Sequence, residues 1–199
     1  GHSPPRSGGS LEEVGMSGDM MRLEEAILFI CTTARPEDQL GAVKLNKILY
    51  YSDMISFAQT GKSITGATYV KRERGPVPKE VVEAINNLKT AGRLNTREVS
   101  IFDKKRREFD ALDEPKFSVF QHDDLRLIND MIGFVCGYNA REISDISHTV
   151  VWEAADLGEE LPYQSFLLSW LGDVDESDMQ LAQEIIANHN PSAPLINGK

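Results

Sequence analysis

Apolar residues recur at helical spacing near the start of the chain. Between positions 19 and 34 they lie three and four residues apart, which predicts a helix with a single buried stripe. Asp19 can cap the start of this helix, and the Arg35-Pro36 step ends it. The stripe consists of Leu23, Ala26, Ile27, Ile30, Cys31 and Ala34.

A second helix is predicted from residue 42 to residue 60, with Gly61 as its terminator. Its apolar and aromatic side chains lie on more than one face, which is typical of a central helix that is packed from several sides. They are Leu45, Ile48, Leu49, Tyr50, Tyr51, Ile55 and Phe57. The QTGKS sequence at its end follows a helix and lacks the earlier glycine of a phosphate-binding loop, so Gly61 is interpreted as a helix stop.

The segment GATYVKRERG, residues 66–75, is rich enough in β-branched and aromatic residues to predict a short extended stretch. The Gly75-Pro76 step then predicts a turn, because Pro76 keeps Gly75 out of the helical region. The ring of Pro78 presets a φ angle that suits the first turn of a helix, so a third helix is expected from Pro78 to Ala91.

The alternation after Gly92 predicts a β-hairpin with its tip near residues 103–106. A fourth helix is expected over residues 123–138, followed by short helical pieces and a last amphipathic helix over 177–188. The predicted fold class is α+β, mainly α-helical: one compact domain of about six to eight helices, with a small β-hairpin after the third helix. The domain is expected over residues 19–188. A disordered leader (1–18), whose Gly1-His2 start is typical of a cloning scar, and a flexible tail (189–199) flank it.

The chain is acidic, with 21 Lys and Arg residues, 31 Asp and Glu residues and a net charge of −10. That negative charge argues against a protein that binds nucleic acid over its whole surface, because such complexes depend on contacts between cationic side chains and phosphates. We expect no signal peptide and no membrane segment, since no apolar run approaches the roughly 18 residues of a membrane span. Cys31 and Cys136 lie in apolar helical patterns, so we expect buried free thiols and a cytoplasmic location.

No catalytic constellation is evident in the sequence. The four histidines are not in HxxxH spacing, the two cysteines form no CxxC pair, and neither cysteine has a neighbouring His or Lys to activate it. We therefore predict a protein that is not an enzyme and that uses no metal or cofactor. An unrecognised enzyme is the weakest alternative.

Basic charge is concentrated at two places on this acidic chain. The first is the triplet Lys71, Arg72 and Arg74, immediately before the predicted Gly75-Pro76 turn. A rigid turn would hold these cations in one place and lower the ordering cost of binding a partner.

The second basic place is the predicted hairpin tip, Lys104–Arg107. A third helix followed by a hairpin with a basic tip is typical of a winged-helix DNA-binding protein, which is the alternative function. Glu80 and Glu83 on that helix would repel phosphate and weaken this interpretation. The hairpin can also be a solvated element whose charges keep an exposed edge from aggregating.

The stretch SHTVVWEAA, residues 147–155, places His148 four positions before Trp152. On a helix these two side chains share a face and could stack or clamp a partner. The alternative is a Trp that fills the core, with His148 hydrogen-bonded beside it.

In this order, the motifs resemble the SocA-like antitoxin family, also called the Panacea domain and once grouped with phage-associated proteins. KLNKILYY at residues 44–51 resembles the family's opening segment. TGKSI at 60–64, GPV at 75–77 and the later His and Trp follow in the family's order. The matching residues are Lys44, Leu45, Lys47, Leu49, Tyr50, Tyr51, Thr60, Gly61, Lys62, Gly75, Pro76, Val77, His148 and Trp152.

This resemblance implies the antitoxin of a toxin–antitoxin system, which neutralises a cognate toxin by direct protein–protein binding. It also implies a role as a proteolytic adaptor, in which the toxin is delivered to an AAA+ protease, and it implies no cofactor. A homo-oligomer is left open, because a second copy could cover an exposed helical face. The predicted partner-binding residues are Tyr50, Tyr51, Lys71, Arg72, Arg74, Gly75, Pro76, His148 and Trp152.

Overall fold

The computed structural model describes residues 11–170 and 176–190, and it confirms a mainly α-helical α+β fold. This part of the chain contains seven α-helices, two antiparallel β-hairpins and three 3₁₀ segments. The helices are α1 (Leu11–Thr33), α2 (Ala42–Thr60), α3 (Val81–Thr90), α4 (His122–Cys136), α5 (Ala140–Ser147), α6 (Val150–Ala154) and α7 (Glu176–His189). The strands are β1 (Tyr69–Arg72), β2 (Gly75–Pro78), β3 (Leu94–Ile101) and β4 (Lys104–Ala111), and the 3₁₀ segments are Pro36–Asp38, Phe117–Val119 and Tyr163–Trp170.

Helix α2 lies at the centre of the core, as its apolar pattern predicts. Helices α1, α4 and α5, strand β2 and the last 3₁₀ segment all pack against it, and its buried side chains include Leu45, Ile48 and Leu49. Gly61 ends the helix in the left-handed conformation, with φ 76° and its N–H bonded to the Phe57 carbonyl at 2.8 Å. The prediction of a helix stop at Gly61 is therefore confirmed.

Strands β3 and β4 form the predicted hairpin after α3. Their register runs from Leu94 opposite Ala111 to Ile101 opposite Lys104. The tip is the two-residue connection Phe102–Asp103, slightly earlier than the predicted 103–106. Both tip residues have positive φ angles, as a two-residue turn of this kind requires.

The prediction that Gly75-Pro76 forms a turn leading into a helix at Pro78 is wrong. Residues 75–78 are strand β2, which pairs with β1, and α3 begins only at Val81. A fixed proline φ suits an extended strand as well as a helix start, so the sequence alone did not separate the two. The Glu80 carboxylate precedes the helix and accepts a hydrogen bond from the Thr68 N–H at 3.1 Å.

Helix α1 begins at Leu11, eight residues before the expected cap at Asp19. Residues 11–18 are therefore helical, which corrects the prediction that they belong to a disordered leader. Gly15 and Gly18 concealed this extension, because glycine is a poor helix former. The predictions for residues 1–10 and for the tail beyond residue 190 concern segments outside the described residues.

A buried ion pair ties α1 to the start of β3. Arg93 donates to both carboxylate oxygens of Glu25, at 2.6 and 3.1 Å, and to Asp113 at 2.6 Å. The backbone N–H of Lys116 also donates to Glu25 at 2.7 Å. Burial alone would raise the pKa of Glu25, but Arg93 and this N–H lower it below its usual value.

Asp53 fixes the segment that leads from α2 to β1. Its fully buried carboxylate accepts the N–H groups of Ile64 and Thr65, both at 2.8 Å. It also accepts the hydroxyls of Thr65 at 2.5 Å and Tyr69 at 2.6 Å. Burial raises the pKa of Asp53 even though all four donors oppose that shift. Because Tyr69 is the first residue of β1, Asp53 also positions the hairpin described next.

Candidate functional site

The β1–β2 hairpin carries the basic triplet at its turn. Arg72 lies opposite Gly75, so Glu73 and Arg74 form the two-residue connection. Arg72, Glu73 and Arg74 are exposed, whereas Gly75 and Pro76 are buried. The hairpin therefore holds these charges in solvent on a backbone that is fixed by pairing.

A third extended segment supports β1 from its other edge. The chain after α6 returns antiparallel to β1, with a bridge between Val70 and Glu160. The Gly158 N–H donates to the Lys71 carbonyl and the Lys71 N–H to the Glu159 carbonyl, both at 2.9 Å. β1 is thus bonded on both edges, which limits movement of the turn beyond it.

Trp152 lies where this hairpin meets the junction of α5 and α6. Its indole N–H donates to the Arg72 carbonyl at 3.0 Å. The His148 ring stacks on it at 3.7 Å between ring centroids and an interplanar angle of 7°. The Lys71 ammonium lies 4.0 Å from the centroid of the Trp152 ring and also donates to the Ala155 carbonyl at 2.7 Å. Trp152 is half-buried, so it both fastens the hairpin and faces solvent.

The surroundings of the His148 imidazole disfavour its protonated form. Burial lowers its pKa, and the positive charge of Lys47 lowers it further. Asp145 and the Glu73 backbone oppose these effects without reversing them. The His148 ring makes an aromatic stack on Trp152, and Lys71, Arg72 and Arg74 supply the cationic side chains of this surface.

Arg72 and Arg74 form no ion pair with any residue in the described parts of the chain. Several other arginines are paired with carboxylates, as Arg97 is with Glu108 at 3.0 Å. We call the surface formed by Lys71, Arg72, Arg74, His148 and Trp152 the Trp152 patch. It combines two free guanidinium groups with a half-exposed indole, and Arg and Trp are among the side chains most enriched at protein interfaces.

Beneath the patch, Gly75 packs against a buried lysine. Lys47 has 1% of its surface exposed, and its ammonium donates a long hydrogen bond of 3.4 Å to the Pro76 carbonyl. A Cβ at Gly75 would lie 2.5 Å from the Lys47 ammonium and would also overlap Ser147 Oγ. Burial lowers the pKa of Lys47 to about 7. The floor of the patch is therefore closely packed, and no carboxylate of residues 11–170 or 176–190 forms an ion pair with Lys47.

We expect Lys47→Met to stabilise the protein at pH 7 by roughly 2–3 kcal/mol. The unfolded chain holds a proton on this lysine up to a pKa near 10.4, whereas the folded protein loses it near pH 7. The free energy of unfolding of the wild type should therefore rise between pH 7 and pH 10, and the advantage of the variant should shrink over that range. Urea unfolding at pH 7, 8.5 and 10 measures this difference. Lys62→Met, at an exposed position, is the control, and parallel pH profiles for the wild type and Lys47→Met would contradict the prediction.

Comparison with known families gives a direct match to this region. A family model described as antitoxin SocA-like, Panacea domain, matches residues 45–153, more than half of the chain. The chain belongs to the SocA-like antitoxin family. No curated protein and no solved structure matches the chain. Membership points to an antitoxin role, and the matched range of this SocA-like domain includes the β1–β2 hairpin, His148 and Trp152.

The structure divides the predicted site residues of this SocA-like domain into surface and core. His148, Lys71 and the Arg72 carbonyl contact Trp152 directly, and Arg74 lies in the adjoining β1–β2 turn. Gly75 and Pro76 lie beneath the Trp152 patch. Tyr50, with 2% of its surface exposed, packs against Tyr69 and Phe166 and offers no surface to a partner. Tyr51 is also buried, which corrects the expectation that the two tyrosines contact a partner directly.

His148 and Trp152 are neighbours for a different reason from the predicted one. His148 follows the end of α5, and Trp152 lies in α6, so they do not share a helical face. The bend between the two short helices brings the rings together instead. The predicted stacking of His148 on Trp152 is present, and so is part of the alternative, because Trp152 is half-buried.

The sequence analysis of this SocA-like domain missed two parts of the site. The sequence analysis assigned no extended structure to the segment 158–161, yet it pairs with β1. Lys47 was noted only as part of the family motif, although it forms the floor beneath Gly75. The one available signal was its position within the apolar pattern of the central helix.

A cavity of about 390 Å³ lies away from the Trp152 patch, between the end of α1 and the β3–β4 hairpin. Cys31, Arg35, Arg97 and Arg106 are among its lining residues. Burial raises the pKa of Cys31 to about 12, so its thiol stays protonated at neutral pH. Cys31 and Cys136 are free and partly buried.

The described residues of this SocA-like domain contain no group of three or more His, Cys, Asp or Glu side chains arranged to hold a metal ion. They also contain no helix with the length and apolar character needed to cross a membrane.

Proposed function

We propose that this chain is an antitoxin that neutralises a cognate toxin by direct binding at the Trp152 patch. Family membership supports the antitoxin role. The observation that carries the choice of surface is that Arg72 and Arg74, exposed and without an ion pair in the described parts of the chain, lie on the hairpin whose Arg72 carbonyl is hydrogen-bonded to the half-exposed Trp152. The backbone of that hairpin is bonded along both edges of β1. A surface that is already ordered loses little conformational entropy when it binds.

The charge of the patch indicates the kind of toxin surface that it fits. Arginines that are free in the unbound protein gain most from carboxylates on a partner, since Arg–carboxylate contacts are strong and directional. The toxin face is therefore acidic around an apolar centre that receives Trp152. The acidic remainder of the chain repels such a face, so the basic patch favours one binding orientation.

The family resemblance extends this function to proteolysis. In that form of the proposal, the bound toxin is delivered to an AAA+ protease and degraded. The half-life of the toxin in cells distinguishes the two forms: it falls in the presence of the chain if delivery occurs, and it is unchanged if binding alone neutralises the toxin.

The structure does not favour the winged-helix alternative. The exposed face of α3 presents Val82 and Glu83, and the helix lacks a row of cations that could follow a phosphate backbone. Further along the β3–β4 hairpin, Arg97 and Arg106 are engaged with Glu108 at 3.0 and 2.6 Å.

Affinity capture followed by a growth assay tests the proposal. The tagged chain is incubated with nuclease-treated lysate of its host, and a bound protein recovered near one-to-one stoichiometry is then expressed alone and together with the chain. We expect the partner alone to stop growth and the wild type to restore it. We expect the double variant Arg72→Glu/Arg74→Glu to fail to restore growth. A partner that is harmless alone, or rescue by the double variant equal to that of the wild type, would overturn the proposal.

A further inference from the structure

The tip of the β3–β4 hairpin exposes a phenylalanine almost completely. Phe102 has 97% of its surface in solvent, more than any other large apolar residue in the described parts of the chain. It occupies the first position of the two-residue turn, with φ 47°, and Asp103 follows with φ 63°. Phe102 therefore projects from the end of the hairpin instead of folding back onto the domain.

Neither the exposure nor the backbone conformation of Phe102 serves folding. A two-residue turn with two positive φ angles favours Asn and Gly, and a bulky side chain in this conformation is an outlier. An exposed Phe gains nothing from the hydrophobic effect in the free protein. Features that are unfavourable for folding and that coincide at one exposed position are typical of a functional contact.

The charges of this hairpin divide along its length. Nearer the domain, Arg106 bonds Glu108 at 2.6 Å and Gln39 at 3.3 Å. Nearer the tip, Lys104 and Lys105 are exposed and form no ion pair within the described residues. The tip thus places one aromatic ring beside free cations, on a chain whose net charge is −10.

We propose that this tip, Phe102 with Lys104 and Lys105, is a second docking point that binds a protein with an apolar pocket rimmed by carboxylates. A protein pocket can enclose a single aromatic ring completely, and a ring of that kind is a common binding hot spot. The Asp103 carboxylate adjoins the ring at the very end of the hairpin. It disfavours anionic lipid and nucleic acid, whose phosphates would surround the tip, whereas the carboxylates of a protein pocket can lie on the side of Lys104 and Lys105 and leave Asp103 in water.

The docking point does not depend on the Trp152 patch or on the antitoxin proposal. It rests on a different hairpin, and the protein that it binds can be the toxin or another partner. A test made at position 102 alone therefore separates the two proposals.

Site-specific photo-crosslinking in the host is the test. The photoreactive amino acid p-benzoylphenylalanine replaces Phe102 in the full chain, or Val82 in a control chain, because Val82 on α3 is 62% exposed. After irradiation the chain is recovered under denaturing conditions and its adducts are identified. We expect one defined protein adduct from position 102, its loss in the Lys104→Glu/Lys105→Glu variant, and its absence from position 82.

A binding measurement with the crosslinked protein in purified form completes the test. We expect Phe102→Asp to weaken its affinity roughly 30-fold, the size of the effect of exposing a buried Phe, and Val82→Asp to leave the affinity unchanged. Adducts with lipid or nucleic acid alone would overturn the proposal. So would no protein adduct beyond the position-82 background, or equal affinities for the two aspartate variants. The exposure of Phe102 and Val82 means that both variants should keep the melting temperature of the wild type.

Discussion

Gly75→Ala is expected to lower the free energy of unfolding by about 4 kcal/mol and to abolish binding at the Trp152 patch. Two costs add together. At φ 107° an alanine is strained, and its Cβ would lie 2.5 Å from the buried ammonium of Lys47. Lys47 has no exposed surface into which it can retreat, so strand β2 must move instead. Chemical denaturation and partner binding measure the two consequences.

Gly61→Ala is the matched control for Gly75. Gly61 also has a left-handed backbone, with φ 76°, but no atom lies within 4 Å of its missing Cβ. The free energy of unfolding of Gly61→Ala should fall by about 1 kcal/mol through backbone strain alone, and the variant should still bind the partner at the Trp152 patch. The difference between the two variants measures the close packing against Ser147 and Lys47. Equal losses of stability would show that this packing contributes nothing.

Asp53→Ala is expected to destabilise the protein by about 4 kcal/mol. Four donors lose their acceptor together: the N–H groups of Ile64 and Thr65, and the hydroxyls of Thr65 and Tyr69. These groups are buried, so water does not readily replace the carboxylate. Because Tyr69 begins β1, we also expect faster proteolysis between residues 61 and 75. Urea unfolding and limited digestion measure the two effects.

Two other substitutions provide comparisons for the loss of stability in Asp53→Ala. Asp53→Asn keeps one acceptor oxygen but turns an N–H₂ group toward a donor. Its loss of stability should therefore lie between zero and that of Asp53→Ala. Asp123→Ala removes an exposed carboxylate that is paired only with Arg126 at 3.3 Å, and it should change stability by less than about 0.5 kcal/mol. If Asp53→Ala were as stable as Asp123→Ala, the proposed anchoring of β1 by Asp53 would be wrong.

Most of the helical framework could be predicted from the sequence, because helical periodicity is a local signal. The bounds of α2 and its stop at Gly61 agree with the structure, since apolar residues on several faces and a terminal glycine point to the same element. The start of α1 was missed because its local signals favour a loop and not a helix. Its first turns contain Gly15 and Gly18, and their composition resembles that of a leader.

The β1–β2 hairpin could be predicted only in part. The extended character of β1 was evident from its β-branched and aromatic residues, but Pro76 and Pro78 suggested a turn and a helix start. Residues 75–78 form a strand because they pair with β1. Such pairing depends on the tertiary structure and cannot be predicted from φ preferences. The 158–161 segment lies even farther along the chain, so its pairing with β1 had no local signal.

The sequence analysis identified the exposed residues of the candidate site, but it missed the buried residues that support them. Arg72, Arg74 and Trp152 stand out from composition alone, because they are cations on an acidic chain and a rare aromatic residue. Lys47 and Asp53 are polar residues inside an apolar helix, which local patterns assign to its solvent side. Their burial follows from packing around α2 on all sides, which depends on the complete fold.

The affinity of the purified chain for its toxin, compared between two charge-reversal variants, tests the central claim most directly. Arg72→Glu/Arg74→Glu alters the Trp152 patch, and Lys62→Glu/Lys89→Glu makes the same change in net charge at exposed positions elsewhere. Titration calorimetry should show the first variant binding about 100-fold more weakly than the wild type, and the second binding within about twofold of it. Equal weakening by both variants would mean that net charge, and not the Trp152 patch, determines binding. An unchanged affinity in the first variant would remove the patch from the interface altogether.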